Sequence, residues 1–219
     1  RLIGMASTTY HLFEDSLYKG KNLTSGDTII MRFDEKDLDD IVVDGGSQGE
    51  YVPNKKTNDS DFPLIYSADR IDYFLKTETT KLIGNAKAKH ENTDLKAGFI
   101  EVNWPTRILN AFPKQPHDSI NQFIKPTIIE KGRDPMVGNE MTYNLDTKKG
   151  KINYGKTKAD DGFYKGKEIR NESDKTIYIK NSIFTTCDLD TPHFHFESIK
   201  MKIIQDDVVI AKPIILKIA

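Results

Sequence analysis

Two histidines one residue apart, His193 and His195, are the first residues here that could do chemistry. On a strand, positions i and i+2 share a face, so the pair could grip zinc together. A third ligand is not evident, and two histidines alone make neither a structural nor a catalytic zinc site. The acids Asp34, Glu35, Asp37, Asp39, Asp40 and Asp44 invite a calcium reading. Their spacing lacks the glycine at position six and the glutamate at position twelve of the EF-hand loop, so they read as a solvated turn. Asp69 and Asp72 could serve as the paired acids of a polysaccharide-cleaving enzyme, which needs two carboxyls about 5–10 Å apart in a cleft. Lys148, Lys149, Lys151, Lys156, Lys158, Lys165 and Lys167 alternate with Ile152, Tyr154 and Phe163. They read as a solvated outer face with edge protection, and contact with phosphates is the alternative. No nucleophile elbow, phosphate loop or cysteine cluster occurs, so no catalytic residue, cofactor or metal is expected.

The elements that would carry these side chains are strands. From Ile71 to Trp104, apolar and polar residues alternate in short segments, interrupted by Thr77–Thr80, Gly84-Asn85 and Glu91–Asp94. Alternation marks a strand with one buried face, and connections this short allow only antiparallel neighbours. A related unit recurs. Gly26-Asp27-Thr28-Ile29-Ile30-Met31-Arg32-Phe33 aligns with the segments starting at Ala68-Asp69 and Gly138-Asn139. In each copy a glycine follows 13 to 16 residues after the first apolar residue, at Gly45, Gly84 and Gly155. Such self-similarity marks a repeat architecture whose units cannot bury their apolar faces alone.

The expected organisation is therefore one elongated all-β domain over 1–219, with units near 26–51, 65–104, 138–170 and 176–218. Gly45-Gly46 is expected to close the strand over Leu38–Val43, and 53–62 to form a polar loop. His11–Tyr18 is read as strand, with helix as the competing reading. Five of nine prolines fall in 105–137, which is expected to lie outside the central sheet, with one helical turn over Asp118–Phe123. A lid over a groove is the functional reading of that insertion.

Composition narrows the class further. The 219 residues carry 30% charged side chains and a net charge of -1, against a general nucleic-acid binder. The most apolar run, Val208–Leu216, is broken by Lys212 and Pro213, so no transmembrane helix is expected. The chain starts Arg1-Leu2-Ile3-Gly4 without an initiator methionine and reads as an excised part of something longer. A lone cysteine, Cys187, allows no internal disulfide.

LIGNAKAKHENTDLKAGFIEV, residues 82–102, resembles the repeat of the OstA-type lipopolysaccharide-transport proteins, the LptA/LptD family. NEMTYNLDTKKGKINYGKT, FTTCD, PHFHFESIKMKI and DDVVIAKPIIL are similar to the periplasmic portion of the LptD branch, which assembles lipopolysaccharide in the Gram-negative outer membrane. The resemblance covers most of 65–219, and only Asp27–Phe33 in 1–64. It implies a β-jellyroll, a taco of two facing antiparallel sheets, at the periplasmic face of the outer membrane. It implies as partners lipopolysaccharide, an LptA-like periplasmic bridge joined by edge-strand pairing around Tyr10–Tyr18, and a membrane β-barrel with its LptE-like plug, reached from Val208–Ile218. The family ties the cysteine matching Cys187 to the barrel by a disulfide, with its partner outside this chain.

Residue alternation and resemblance converge on one mechanism. If the sheets splay along one edge, the space between them is an apolar trough for acyl chains, and no bond need break. The expected lining is Ile29, Met31, Phe33, Ile71, Tyr73, Leu75, Leu82, Leu95, Phe99, Met141, Tyr143 and Ile152. A filled core with no ligand is the competing reading of the same residues, beside the enzyme.

Overall fold

The computed structural model describes residues 1–14, 16–54, 62–114, 123–159, 162–173, 176–189, 191–204 and 207–218. The helical turn expected over Asp118–Phe123 and most of the 53–62 loop lie outside these residues. The described residues form sixteen strands in one antiparallel sheet. In chain order they are β1 (Leu2–Glu14), β2 (Leu17–Asp34), β3 (Asp37–Pro53), β4 (Leu64–Phe74), β5 (Thr79–His90), β6 (Thr93–Asn103), β7 (Ile108–Phe112), β8 (Thr127–Glu130), β9 (Met136–Val137), β10 (Glu140–Asn144), β11 (Gly150–Ala159), β12 (Gly162–Ser173), β13 (Thr176–Thr185), β14 (Phe194–Ile204), β15 (Val208–Lys212) and β16 (Ile215–Ile218). His11–Tyr18 is strand, hairpin turn and strand, which removes the helical alternative. Among the described residues no helix is long and apolar enough to cross a membrane.

The sheet is folded over on itself along a line crossing nearly every pass of the chain. Ladder register breaks between Ile3 and Ala6 in β1, Ser25 and Thr28 in β2, Asp44 and Ser47 in β3, Ser67 and Arg70 in β4, and Ile83 and Ala86 in β5. Each break is a bulge, and a bulge bends its strand. Gly45 and Gly46 have φ of +79° and +58°, and Gly84 and Asn85 have 73° and 46°. Only residues at ease in the left-handed region allow this turn cheaply. A Cβ on Gly45 would sit 2.4 Å from Asp27 Oδ2, and one on Gly84 2.4 Å from Asp69 Oδ2. Asn85 Nδ2 donates to both oxygens of Asp69, at 2.9 and 3.2 Å. The repeated Asp and the repeated Gly are thus two halves of one corner, on neighbouring strands.

This corrects two expectations. Gly45-Gly46 does not end a strand: β3 turns there and continues to Pro53, as β5 continues through Gly84-Asn85 to His90. The proline-rich stretch is not outside the sheet, since β7 sits on its central path between β6 and β10. β7 and β8 together make one bent pass along β6, with Phe112 opposite Phe99 and Thr127 opposite Lys96. Pro113 and Ile124, which follow β7 and precede β8, meet at the bend: Gly98 N donates to Ile124 O at 3.0 Å and Ile124 N to Pro113 O at 2.9 Å. Among the described residues Pro105, Pro113, Pro126 and Pro135 stand in turns or beside strand ends, so none of them removes a ladder donor. β9 with β10, and β15 with β16, are likewise single passes broken at the same line.

The two halves of the passes face each other as layers. Layer A holds the parts running toward the turns at Glu91-Asn92 and Lys131–Pro135. Layer B holds those running toward Trp104–Arg107 and Leu145–Lys149. A single apolar cluster runs through the space between them, from Ala6 to Ile203. Away from the bend, the turns form two rims.

Candidate functional site

The space between the layers is the one feature common to every repeat unit. In the first half of the chain it is largely filled, leaving a hollow of about 270 Å³ at the rim between Tyr10 and Leu12 on one layer and Tyr73 and Leu75 on the other. Tyr10 and Tyr73 meet edge to face across the layers, with ring centroids 5.4 Å apart. Tyr66 donates to the Asn22 side-chain oxygen, Asn22 Nδ2 donates to Tyr10 Oη at 2.9 Å, and the Tyr66 and Tyr73 hydroxyls are 3.0 Å apart. Burial first of all pushes Tyr10 and Tyr66 well above the usual phenol range and Tyr73 to about 12, so these hydroxyls act as neutral hydrogen-bonding groups. Trp104 Nε1 donates to Thr80 Oγ1 at 2.8 Å and its ring lies 4.6 Å from that of Tyr51. Arg107 covers the other side of Tyr51 at 5.0 Å. Farther along, Lys148 on one rim pairs with Glu91 on the other. Buried polar groups satisfied in this way give a defined, closed interior.

Past that closure the character changes. Two adjoining cavities share Met136, Ile169 and Ile177. The outer one, about 410 Å³, is also lined by Ile179, Ile203 and Val209, and opens between Gly132–Asp134 on one rim and Asp207–Val209 on the other. Its walls carry no buried tyrosine network. The layers lie apart here because isoleucine and methionine side chains face a gap instead of a partner.

Ile29, Ile71, Tyr73, Leu82, Leu95, Met141, Tyr143 and Ile152 all belong to the interior cluster, and Met31 and Leu75 pack against it. Two of the expected lining residues do not. Phe33 is 62% exposed, because the register shifts between Arg32 and Phe33 near the end of the hairpin. Phe99 is 3% exposed yet stands outside the interior cluster, its ring 6.1 Å from that of Phe112. The bend between Ala97 and Gly98 swaps the faces of β6, so Leu95 and Ala97 point inward before it and Ile100 and Val102 after it. The cavity residues Ile177, Ile179 and Ile203 were not among the expected lining. Their signal was the alternation Ile177-Tyr178-Ile179 and Met201-Lys202-Ile203.

The other candidate groups are structurally engaged. Asp69 holds the corner at Asn85, and Asp72 accepts two bonds from Arg70, at 2.7 and 3.1 Å. His195 faces Glu197 at 3.2 Å, whereas His193 lies 3.8 Å from Cys187 Sγ. The two histidines therefore do not converge on one point. Among the described residues no three His, Cys, Asp or Glu side chains are placed to hold a metal. Cys187 is a free thiol, half-buried.

No family model matches the chain, and no curated protein does. Among solved structures it is similar to LptH of Pseudomonas aeruginosa, described as the LptA-homologous periplasmic component of the lipopolysaccharide transport device. That match has 15% sequence identity and a TM-score of 0.45, and covers 58% of this chain and 96% of the other.

Proposed function

We propose that this protein is a lipid-carrying module that takes acyl chains of lipopolysaccharide between its layers while the sugar head stays in solvent. The observation that carries the reading is the open cavity between the rims in the second half, with Met136, Ile169, Ile177, Ile179, Ile203 and Val209 as its apolar walls and Arg133, Asp134, Lys158 and Asp207 also lining it. Moving each methylene from water into such a space is favourable by about 0.8 kcal/mol. A multi-chain lipid that crosses water only with a large penalty can thus move along a dry path, and no bond need be made or broken. The sequence resemblance of 65–219 to OstA-type proteins supplies the lipid class and the periplasmic setting.

Within this reading the two ends of the sheet are its contacts. Among the described residues β1 pairs only with β2, and on its other edge a bridge protein's strand would add by main-chain hydrogen bonds. At the other end, β15 and β16 expose Val208, Val209, Ile210, Ile215, Leu216 and Ile218, and would lead toward an outer-membrane barrel and its plug.

Photo-crosslinking tests the reading. A benzophenone side chain at Ile177, Ile179 or Ile203 should capture lipopolysaccharide, whereas one at Ile71 or Leu82, fully buried and away from any cavity, should not. Uniform absence of adducts from the three isoleucine positions would reject a lipid-carrying interior.

A further inference from the structure

The second half of the chain presents its lysines in two settings. On the outer face of layer B they gather on acids. Lys151, Arg170 and Lys180 converge on Glu168 at 3.2, 2.9 and 2.7 Å. The hydrogen bond from Lys180, above all, holds the Glu168 carboxyl down at about 2. Lys149 likewise meets Glu172 at 3.2 Å.

At the bend the setting is different. Lys125, Lys156, Lys165 and Lys167 line an open hollow of about 370 Å³ beside Tyr154, and no carboxylate lines it. Lys156 and Lys165 are direct cross-strand partners, where like charges repel. Among the described residues none of the four lysines is in an ion pair. Protection of a sheet edge does not account for them, because β11 and β12 have neighbours on both sides.

Tyr154 adds an exposed ring to the hollow. Its φ is 50° and the residue is 60% exposed. That backbone conformation belongs to the bend, where Met5, Asn85 and Asn181 share it at 47°, 46° and 48°, and at this corner it presents an aromatic ring outward. Here the ring is displayed on the hollow and not in the core. The floor is low because Gly138, Gly155 and Gly166 face inward against Ile152, Ile169 and Ile179. An added Cβ there would meet those side chains at 2.3, 2.7 and 2.2 Å.

We propose that this hollow binds a phosphate-bearing sugar. The ammonium groups supply charge-assisted hydrogen bonds to the phosphate, and the exposed ring supplies an apolar plate for the sugar's C–H face. The hollow lies on the outer side of the bend, away from the rims through which the interior opens. It therefore stands independently of the lipid-carrying role.

Calorimetric titration of the full chain with glucose 6-phosphate, glucose and inorganic phosphate tests this. Glucose 6-phosphate should bind about tenfold or more tighter than either fragment. The double variant K156Q/K165Q should weaken both phosphate ligands about tenfold or more while its melting curve stays that of the parent. Tyr154→Gly, which relaxes the left-handed backbone, should erase the advantage of glucose 6-phosphate over inorganic phosphate and leave inorganic phosphate binding intact. Equal binding of glucose 6-phosphate and inorganic phosphate by the parent, or parent-like titration of K156Q/K165Q, overturns the proposal. Binding to phosphatidylglycerol vesicles without any response to glucose 6-phosphate also overturns it, in favour of a membrane-facing surface.

Discussion

The two halves of this sheet share strand pairing, bends and alternation, yet their interiors differ. Between β1 and β6 the layers are held together by Tyr10, Asn22, Tyr66, Tyr73, Thr80 and Trp104, most of them buried and hydrogen-bonded. Between β11 and β15 the facing residues are isoleucines around a gap. The contrast teaches that a folded-over sheet does not by itself decide between core and cavity. What decides is whether inward side chains are long enough, and carry polar tips, to reach across and bond. Tyr10, Tyr66 and Tyr73 do so through Asn22 and each other, whereas Ile177 and Ile203 stop short around the second-half cavity.

Breaking that contrast should cost most in the filled half. Ile71→Ala, at a fully buried site, should lower unfolding stability by about 4 kcal/mol in urea titration. Ile177→Ala, which borders an existing cavity, should lower it by about half as much. Next comes the polar clamp. Asn22→Ala strips the partner from the Tyr10 and Tyr66 hydroxyls and should cost about 2 kcal/mol, read the same way. Gly45→Ala should cost about 2 kcal/mol, because left-handed strain adds to the contact with Asp27, whereas Gly132→Ala, with nothing within 4 Å, should cost about 1 kcal/mol from backbone strain alone.

The smallest effect concerns His90, where the filled half meets Tyr143. Burial holds its imidazole below the usual range. As pH falls past about 6.5 the unfolded chain takes up a proton before the folded one, so the folded state loses stability from there downward until the buried ring is itself protonated. Urea titrations at several pH values should show that decline in the parent and a shallower one in His90→Asn. Parallel curves would remove His90 from the account.

Much of this fold was legible in the sequence, for a simple reason. Strand alternation is local, so Ile29, Ile71, Leu82, Met141 and Ile152 could be placed inward from their neighbours alone. The bends were visible only as repeated Asp and Gly residues. Their partnership across strands, Asp27 over Gly45 and Asp69 over Gly84, depends on register, which one strand does not carry. Glycine pairs that ordinarily end strands here turn them, and Phe99 was misplaced because a bulge exchanges the two faces. The cavity was the least legible part. Ile177 and Ile203 alternate just as Ile71 and Leu82 do, and only three-dimensional spacing separates a wall from a filling.

The pairing along β6 holds on both sides of the bend, with Phe112 opposite Phe99 and Thr127 opposite Lys96. Foreign segments spliced at the matching place in other passes should be carried with little loss, since the ladder register already shifts there. Met5, 94% exposed between the two paired parts of β1, is the natural place to begin. The protein thus has a built-in docking port for reporters, set along the spine of the molecule and clear of its greasy opening.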